Sequence, residues 1–170
     1  NSNTNPINEY GRSKLKGEHV CLENDTNSII IRTSWLYSSF GNNFVKTMID
    51  LMKKNNLIKV VNDQIGSPTY AYDLVKVILN IIVNYKNKSG LFHYSNEGEI
   101  SWFEFARSIK ELYNLDCKII GVSSKEFKTL AKRPKYSLLS KSKIKTTFNL
   151  EIPNYKQSLK NCIKIIKNEA

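Results

Sequence analysis

The hydrophobic pattern along the chain alternates between helical spacing and short apolar runs. Spacing of three or four residues predicts helices from Pro6 to about Glu23 and from 41–43 onward. Short continuous runs predict strands, and Gly and Pro at 66–69 predict a turn. Helical segments between strands indicate an α/β fold with a largely parallel sheet. The predicted strands cover 28–33, 57–61, 91–94 and 118–122, and further helices cover 73–85, 101–112, 140–146 and 155–166.

Three of these elements carry a more specific expectation. The run "SIIIRT" at 28–33 is apolar over most of its length, which predicts a strand buried on both faces. The helix at 73–85 is apolar nearly all round, which predicts that it is buried. Ser101 and Glu104 have the capping-box spacing, so the helix that contains Trp102 is expected to begin there.

Composition limits the classes of protein to consider. The 170 residues are 41% hydrophobic and 24% charged, as in one soluble globular domain or part of one. No apolar run approaches the ~20 residues that span a bilayer. The net charge of +11 comes mostly from scattered Lys rather than from Arg clusters. This favours a solvated basic surface over a nucleic-acid site, and leaves open a positive cleft for a small anionic substrate.

Cysteine and histidine give no sign of a metal or disulfide framework. Cys21, Cys117 and Cys162 are an odd number without a C-x-x-C motif, and the two histidines lie far apart. We therefore expect reduced, buried thiols in a cytoplasmic protein, and no carboxylate cluster suggests a metal site. The N-terminus has no apolar signal region. It also lacks an initiator Met, so we expect the chain to be part of something longer.

Tyr10 and Lys14 are the strongest candidates for chemistry. They lie four positions apart on one predicted helix and therefore share a face. A phenol with a pKa of ~10 is a poor proton donor at neutral pH, and a nearby ammonium lowers that pKa by favouring the phenolate. The spacing alone fits an exposed helical pair equally well.

Five strings give this pair a context. They are "PINEYGRSKLKGE", "IIIRTSWLY", "GNNFVKTM", "VVNDQIGSPTYAYDL" and "RPKYSLLSKSKI", in that order. Together they resemble the extended short-chain dehydrogenase/reductase superfamily and, within it, the dTDP-4-dehydrorhamnose reductase family. The resemblance runs from Pro6 to Ile166. It implies an α/β chain that forms the C-terminal part of an NAD(P)-binding Rossmann-type fold plus a substrate-binding lobe.

The resemblance also implies roles for individual residues. Tyr10 would protonate the C4 oxygen of a dTDP-4-keto-6-deoxy sugar as hydride arrives from NADPH or NADH, and Lys14 would bind the nicotinamide ribose. Arg32 and Thr33 would complete the cofactor contacts, although Arg32 fits a structural ion pair equally well. The implied substrate-binding residues are Trp35, Asn43, Gln64, Ser67, Thr69 and Arg133. Their plainer alternatives are a core aromatic at 35, an N-cap at 43 and an ordinary turn at 66–69.

The cofactor platform of such an enzyme is missing from the sequence. No three of the seven glycines form G-x-G-x-x-G or G-x-x-G-x-x-G, and only nine residues precede Tyr10. We expect the glycine-rich βαβ half to be absent, with 1–56 a remnant of the nucleotide-binding domain. Residues 57–170 would form mostly the substrate lobe, with 71–95 returning to the sheet. Alone, the chain is expected to be inactive and to self-associate, or form a homodimer, through the truncated sheet.

Other assignments stay open at this point. A nucleotide-sugar epimerase or 4,6-dehydratase of the same superfamily shares Tyr-x-x-x-Lys but would carry different strings after 28–33. A non-catalytic basic module would bind RNA or DNA in a salt-sensitive way, and a degenerate domain would serve only interaction or structure. We expect no nucleic-acid and no membrane partner. Some relatives look metal-assisted in dimer contacts, Mg²⁺ being the candidate, but the sequence indicates no site.

Overall fold

The computed structural model describes residues 4–127 and 133–168. Helices and strands alternate along it, which confirms the predicted α/β class. The helices are α1 (Glu9–Asn24), α2 (Phe44–Lys54), α3 (Ala71–Asn84), α4 (Trp102–Tyr113), α5 (Ser142–Phe148) and α6 (Tyr155–Asn168). The strands are β1 (Ile29–Thr33), β2 (Leu36–Tyr37), β3 (Leu57–Val61), β4 (Ile65–Gly66), β5 (Thr69–Tyr70), β6 (Gly90–Tyr94), β7 (Ile100–Ser101) and β8 (Lys118–Val122).

Side-chain caps fix the starts of three helices. Asn8 accepts a hydrogen bond from the Gly11 amide at the start of α1. Asn43 does the same for the first turn of α2. At α4, Ser101 and Glu104 form the capping box that their spacing predicts. The Ser101 hydroxyl accepts from the Glu104 amide, and the Glu104 carboxylate accepts from the Ser101 amide.

The strands lie in pairs rather than in one continuous sheet. β1 and β6 run parallel from Ile29↔Gly90 to Thr33↔Tyr94, and β3 runs parallel to β8. β2 and β5 form a short parallel pair, whereas β4 and β7 are antiparallel. The expected parallel pairing is therefore present. Within the described residues the helices α2, α4 and α6 pack around β3 in a hydrophobic cluster separate from that around β1 and β6.

Two hydrophobic clusters organise the chain. The first, which we call the lobe core, joins α2, α4, α6 and β3; the predicted apolar stripes of these helices all point into it. The second, the sheet core, joins α3 and α5 to β1 and β6. Fully or almost fully buried members of the lobe core include Val45, Phe105, Ile109, Leu159 and Cys162, and those of the sheet core include Phe92, Tyr94, Ile144 and Phe148.

A buried amide connects the two clusters. Asn96 is fully buried, and its side-chain nitrogen donates to the Asp73 carboxylate at 2.8 Å and to the Ser158 hydroxyl at 3.0 Å. Its side-chain oxygen accepts from the Tyr70 amide at 2.7 Å. Asp73 belongs to α3 of the sheet core and Ser158 to α6 of the lobe core. A buried polar side chain with all these partners fixes how the two clusters meet.

Three expectations about burial are wrong. β1 is only half-buried, and its last residue is exposed. α3 buries Val77 and Ile81 but exposes its other apolar face. Cys21 is exposed, unlike the buried Cys117 and Cys162. In each case the chain as described covers one side of the element only. The exposed face of α3 carries Val75, Ile78, Leu79, Ile82 and Val83.

Two smaller differences concern boundaries. The short helix predicted at 140–146 runs from Ser142 to Phe148. The predicted turn at 66–69 contains the end of β4 and the start of β5, so only two of its residues lie outside strands. None of the helices in the described ranges has the length and apolar character needed to cross a bilayer.

Candidate active site

Tyr10 and Lys14 lie on the wall of one groove. The groove runs between α1 and β1, has a volume of about 1030 Å³ and is open to solvent. The Lys14 ammonium lies 5.5 Å from the centroid of the Tyr10 ring, and the Tyr10 side chain is 72% exposed. The two side chains therefore share a face beside a cavity, as their spacing predicts.

The groove ends at the carboxyl end of a parallel strand. Thr33 and Ser34, at the end of β1, line it together with Ser137 and Leu139. In open parallel sheets, ligands bind in the crevice outside the carboxyl ends of the strands. The groove extends along all of β1, and its end at Thr33 and Ser34 is thus the part at which an α/β fold offers backbone and side-chain polar groups to a ligand.

A second Tyr-x-x-x-Lys pair shows that spacing alone does not define the site. Tyr72 and Lys76 lie four apart on α3, with the Lys76 ammonium 4.5 Å from the Tyr72 ring centroid. Both residues are exposed, and neither lines the groove. The local geometry of the two pairs is similar, so what distinguishes Tyr10 and Lys14 is the cavity beside them.

Arg32 forms an ion pair with α1. Its guanidinium donates to both carboxylate oxygens of Glu18, at 2.7 Å from Nε and 2.6 Å from Nη2. This hydrogen bonding raises the pKa of Arg32 above its ordinary range. Of the two alternatives for Arg32, the geometry is that of the structural ion pair, although the residue also lines the groove.

Trp35 has an unusual backbone and a well-defined stacking partner. Its φ is +48°, a left-handed conformation that a bulky side chain rarely adopts and that is found preferentially at functional positions. Its ring stacks on Trp102 with centroids 3.6 Å apart and an interplanar angle of 12°. A Cβ on Gly66 would lie 2.7 Å from the Trp35 ring and from the Ser137 hydroxyl. Trp35 thus packs against residues next to the groove.

The remaining predicted substrate residues are engaged in the fold. Asn43 caps α2, accepting from the Val45 and Lys46 amides and donating to the Ser38 carbonyl at 2.8 Å. Arg133 is exposed, next to Pro134 of the groove wall. Their roles in binding stay predictions, because the structure places them without testing what they bind.

None of the residues of the loop at 64–69 lines the groove. The Gln64 amide donates to the Ser124 hydroxyl at 2.9 Å, and the Ser67 hydroxyl donates to the Asn96 carbonyl. Thr69 is fully buried and accepts from the Thr33 hydroxyl at 2.9 Å. The loop thereby holds the end of β1 in place. A direct contact of these three side chains with substrate remains a prediction.

Sequence reasoning missed Glu18, Gly66 and Trp102. Glu18 follows Lys14 by one helical turn, so its position on the shared face was readable from the sequence. Gly66 and Trp102 gave no such signal, because each contacts Trp35 across a long stretch of chain.

The groove suits one end of a pyridine nucleotide. Tyr10, Lys14 and Ser13 offer hydroxyl and ammonium groups to a ribose. A pyrophosphate cradle needs glycines in a tight turn at a helix start. The positive-φ glycines of the described ranges, Gly41, Gly90 and Gly98, lie away from the groove. Nor do three His, Cys, Asp or Glu side chains converge anywhere in those ranges.

Fold and groove together define the class: an α/β domain with a ligand-sized groove beside a parallel strand. More narrowly, the chain belongs to the RmlD substrate binding domain family, whose model matches residues 1–168. It is 39% identical to the dTDP-4-dehydrorhamnose reductase of Aggregatibacter actinomycetemcomitans, covering 92% of this chain and 56% of that protein. It is also 42% identical to the spore coat polysaccharide biosynthesis protein SpsK of Bacillus subtilis, over 77% of this chain.

Solved structures of dTDP-4-dehydrorhamnose reductases are also similar to the chain. A dTDP-4-dehydrorhamnose reductase from Clostridium acetobutylicum superposes with a TM-score of 0.93 at 41% identity, over 98% of this chain and 58% of that one. The Bacillus anthracis enzyme in complex with NADP gives 0.90 at 42% identity. A UDP-glucuronic acid 4-epimerase from Bacillus cereus, at 17% identity and a TM-score of 0.80, shares the fold alone. The chain thus spans little more than half the length of these relatives.

Proposed function

We propose that the chain is the C-terminal, substrate-binding portion of an NAD(P)H-dependent dTDP-4-dehydrorhamnose reductase. The observation that carries this proposal is the position of Tyr10 and Lys14. They lie together on a groove at the carboxyl end of β1. The family match over residues 1–168 supports it, as do the reductases that resemble the chain over almost its whole length.

The reaction is the reduction of the C4 ketone of a dTDP-4-keto-6-deoxy sugar. The Tyr10 hydroxyl donates a proton to the C4 oxygen, and the Lys14 ammonium stabilises the phenolate that remains. Lys14 also hydrogen-bonds the ribose of the nucleotide. A bound NADPH or NADH supplies the hydride. We assign Trp35, which stacks on Trp102 next to the groove, the role of packing against the deoxysugar.

The sheet core supplies the surface for the nucleotide-binding half. Within the described residues β1 pairs with β6 only, so its other edge is free to take a parallel strand. α3 packs in the same cluster through Val77 and Ile81, and its opposite face exposes a row of apolar side chains, which indicates a contact surface. Without the other half, we expect this surface to mediate self-association or a homodimer.

The division into parts follows from the same surface. We propose that residues 1–56, with α1 and β1, are the remnant of the nucleotide-binding domain, although α2 near their end packs in the lobe core, and that 57–170 form mostly the substrate lobe. Residues 71–95 return to the sheet, a role supported by the pairing of β6 with β1 and by the packing of α3 in the sheet core.

The proposed reaction is a step in making dTDP-rhamnose for cell-surface polysaccharides. The similarity to a spore coat polysaccharide biosynthesis protein supports this setting. We place the protein in the cytoplasm, where nucleotide sugars and NADPH are available to it.

A chimera tests the proposal. The nucleotide-binding part of the Bacillus anthracis relative is fused in front of this chain, and NADPH oxidation is followed with the dTDP-4-keto-6-deoxy sugar. We expect turnover by the chimera and none by the 170-residue chain alone. A folded chimera that binds NADP but leaves the sugar unreduced would contradict the function. The same chimera assayed with UDP-glucuronic acid and UDP-galactose tests the epimerase alternative, for which we expect no conversion.

A further inference from the structure

We propose that the ion pair between Glu18 and Arg32 is a positioning device. It fixes the rotation of α1 against β1 and thereby directs Tyr10 and Lys14 into the groove. The two residues of the pair come from the two walls of the groove, Glu18 from α1 and Arg32 from β1.

The geometry of the pair defines an orientation as well as a distance. Nε of Arg32 donates to one carboxylate oxygen of Glu18 at 2.7 Å and Nη2 donates to the other at 2.6 Å. Two parallel hydrogen bonds between planar groups resist rotation, which a single contact does not. The side chains are 28% and 15% exposed, so water competes only partly with the pair.

Apart from the pair, α1 has only half-buried apolar side chains, Leu15 and Leu22, to hold it in one orientation. None of its residues is buried, although packing of an apolar face is what normally fixes a helix on a sheet. Along β1, Ile29 and Ile31 pack into the sheet core, so alternation places Ile30 and Arg32 on the opposite face. Arg32 therefore contacts α1 through an ion pair between its guanidinium and the Glu18 carboxylate.

The spacing on α1 links the pair to the chemistry. Tyr10, Lys14 and Glu18 follow one another at intervals of four residues, lie on one face of the helix and line the groove. A rotation of α1 that separates Glu18 from Arg32 moves Tyr10 and Lys14 away from Thr33 at the end of β1. This role differs from the cofactor contact expected for Arg32, and it does not depend on any ligand.

Hydrogen exchange on the 170-residue chain tests the proposal without any activity assay. Glu18→Gln and Arg32→Gln are compared with the parent chain, and amide exchange is followed in α1 and in β3 and β8. We expect exchange in α1 to become about tenfold faster, because a partly buried, doubly hydrogen-bonded pair is lost. Exchange in the lobe-core strands should stay unchanged. The double variant Glu18→Arg/Arg32→Glu rebuilds the pair with reversed charges and should restore protection of α1.

The control is Glu9→Gln, which removes the exposed ion pair with Arg12 inside the same helix and leaves β1 untouched. It should not change exchange in α1. Unchanged protection of α1 in both single variants would overturn the proposal. So would equal loosening of β3 and β8, which would make the pair a support of the whole fold, or failure of the reversed pair to restore protection.

A second experiment adds the link to turnover and rests on the proposed function. In the chimera, Glu18→Gln should lower kcat about tenfold while the KM for the sugar stays within a factor of about two, because the groove remains while the acid is misdirected. An unchanged kcat would contradict positioning of the reacting groups. An inactive parent chimera would contradict the proposed function and leave the exchange result to decide on the pair.

Discussion

The indole of Trp35 lies flat against that of Trp102, with ring centroids 3.6 Å apart. These are the only two tryptophans in the chain. Phe44 packs against the same assembly, 4.5 Å from the Trp102 ring. The stack therefore holds Trp35 in its left-handed backbone conformation from the side of the lobe core, and tryptophan spectroscopy reports on it directly.

Removing Trp102 should release Trp35. We expect Trp102→Ala to lower the free energy of unfolding by about 2–3 kcal/mol, since a partly buried indole and its stacking are lost. The emission of the remaining tryptophan should shift to the red because one face of its ring becomes exposed to water. Trp102→Phe keeps an aromatic partner and should cost less. Fluorescence and urea unfolding measure both effects, and an unshifted Trp35 spectrum in the alanine variant would speak against the stack.

Gly66 should not tolerate a side chain. An alanine Cβ there would lie 2.7 Å from Trp35 and from the Ser137 hydroxyl, so Gly66→Ala should destabilise the chain by about 1–3 kcal/mol through overpacking. Gly17→Ala is the matched control, because nothing lies within 4 Å of its position in α1. That change should stabilise by about 0.5–1 kcal/mol, as alanine does inside a helix. Opposite signs in denaturant unfolding are the expected result, and equal effects would contradict it.

Removing the Tyr37 hydroxyl should stabilise the fold. The residue is 1% exposed and its hydroxyl has no hydrogen-bond partner among the described residues; burial also raises its pKa. We expect Tyr37→Phe to raise the free energy of unfolding by about 1 kcal/mol, because a desolvated, unpaired group is removed. Tyr85→Phe is the counterpart: its hydroxyl donates to the Phe148 carbonyl at 2.9 Å, so its loss should cost about 1 kcal/mol. Thermal or urea unfolding separates the two signs.

The two Tyr-x-x-x-Lys pairs permit a matched test of the site. In the chimera, Tyr10→Phe should reduce kcat by about 10²–10⁴-fold, the usual contribution of a positioned proton donor. Tyr72→Phe, in the pair with similar local geometry outside the groove, should leave kcat unchanged. NADPH oxidation at saturating sugar measures both. Equal activities of the two variants would contradict the proposed role of Tyr10 as the proton donor.

His93 should make the stability fall in mild acid. Burial and then the neighbouring charge of Arg32 lower its pKa below the ordinary value of 6.5. Between these two pKa values the unfolded chain binds the proton more readily than the folded chain does. Stability is thus complete above pH 6.5 and declines as pH falls below it. His93→Gln should flatten this decline, whereas a Gln at the exposed His19 should not. Urea unfolding on both sides of pH 6.5 checks the sign.

The sequence predicts the lobe core well because that cluster is complete within the chain. The stripe of α2, the bounds of β3 and β8 and the capping box of α4 all agree with the structure. In each case the local pattern and its packing partner belong to the same polypeptide. For β1 and α3 the predicted burial is wrong. An apolar pattern shows which faces of an element favour burial, but it does not show whether this chain supplies the residues that would bury them.

The contacts at the candidate site also differ in whether the sequence predicts them. The spacing of Tyr10 and Lys14 predicts that their side chains share a helix face, but it applies equally to Tyr72 and Lys76, and only the resemblance singled out the first pair. The stacking of Trp35 on Trp102 and the close approach of Gly66 join positions far apart in the chain. Short-range spacing carries no information about such contacts, so the surroundings of the site had to come from the fold.

The chain passes back and forth between the two hydrophobic clusters. It leaves the sheet core after β1, enters the lobe core, returns with α3 and β6, leaves again with α4, and comes back once more with α5 before α6 closes the lobe. No single cut separates them into independent pieces. The chain should therefore melt in one cooperative step, and attempts to trim it to a smaller sugar-binding unit should yield insoluble or unfolded products.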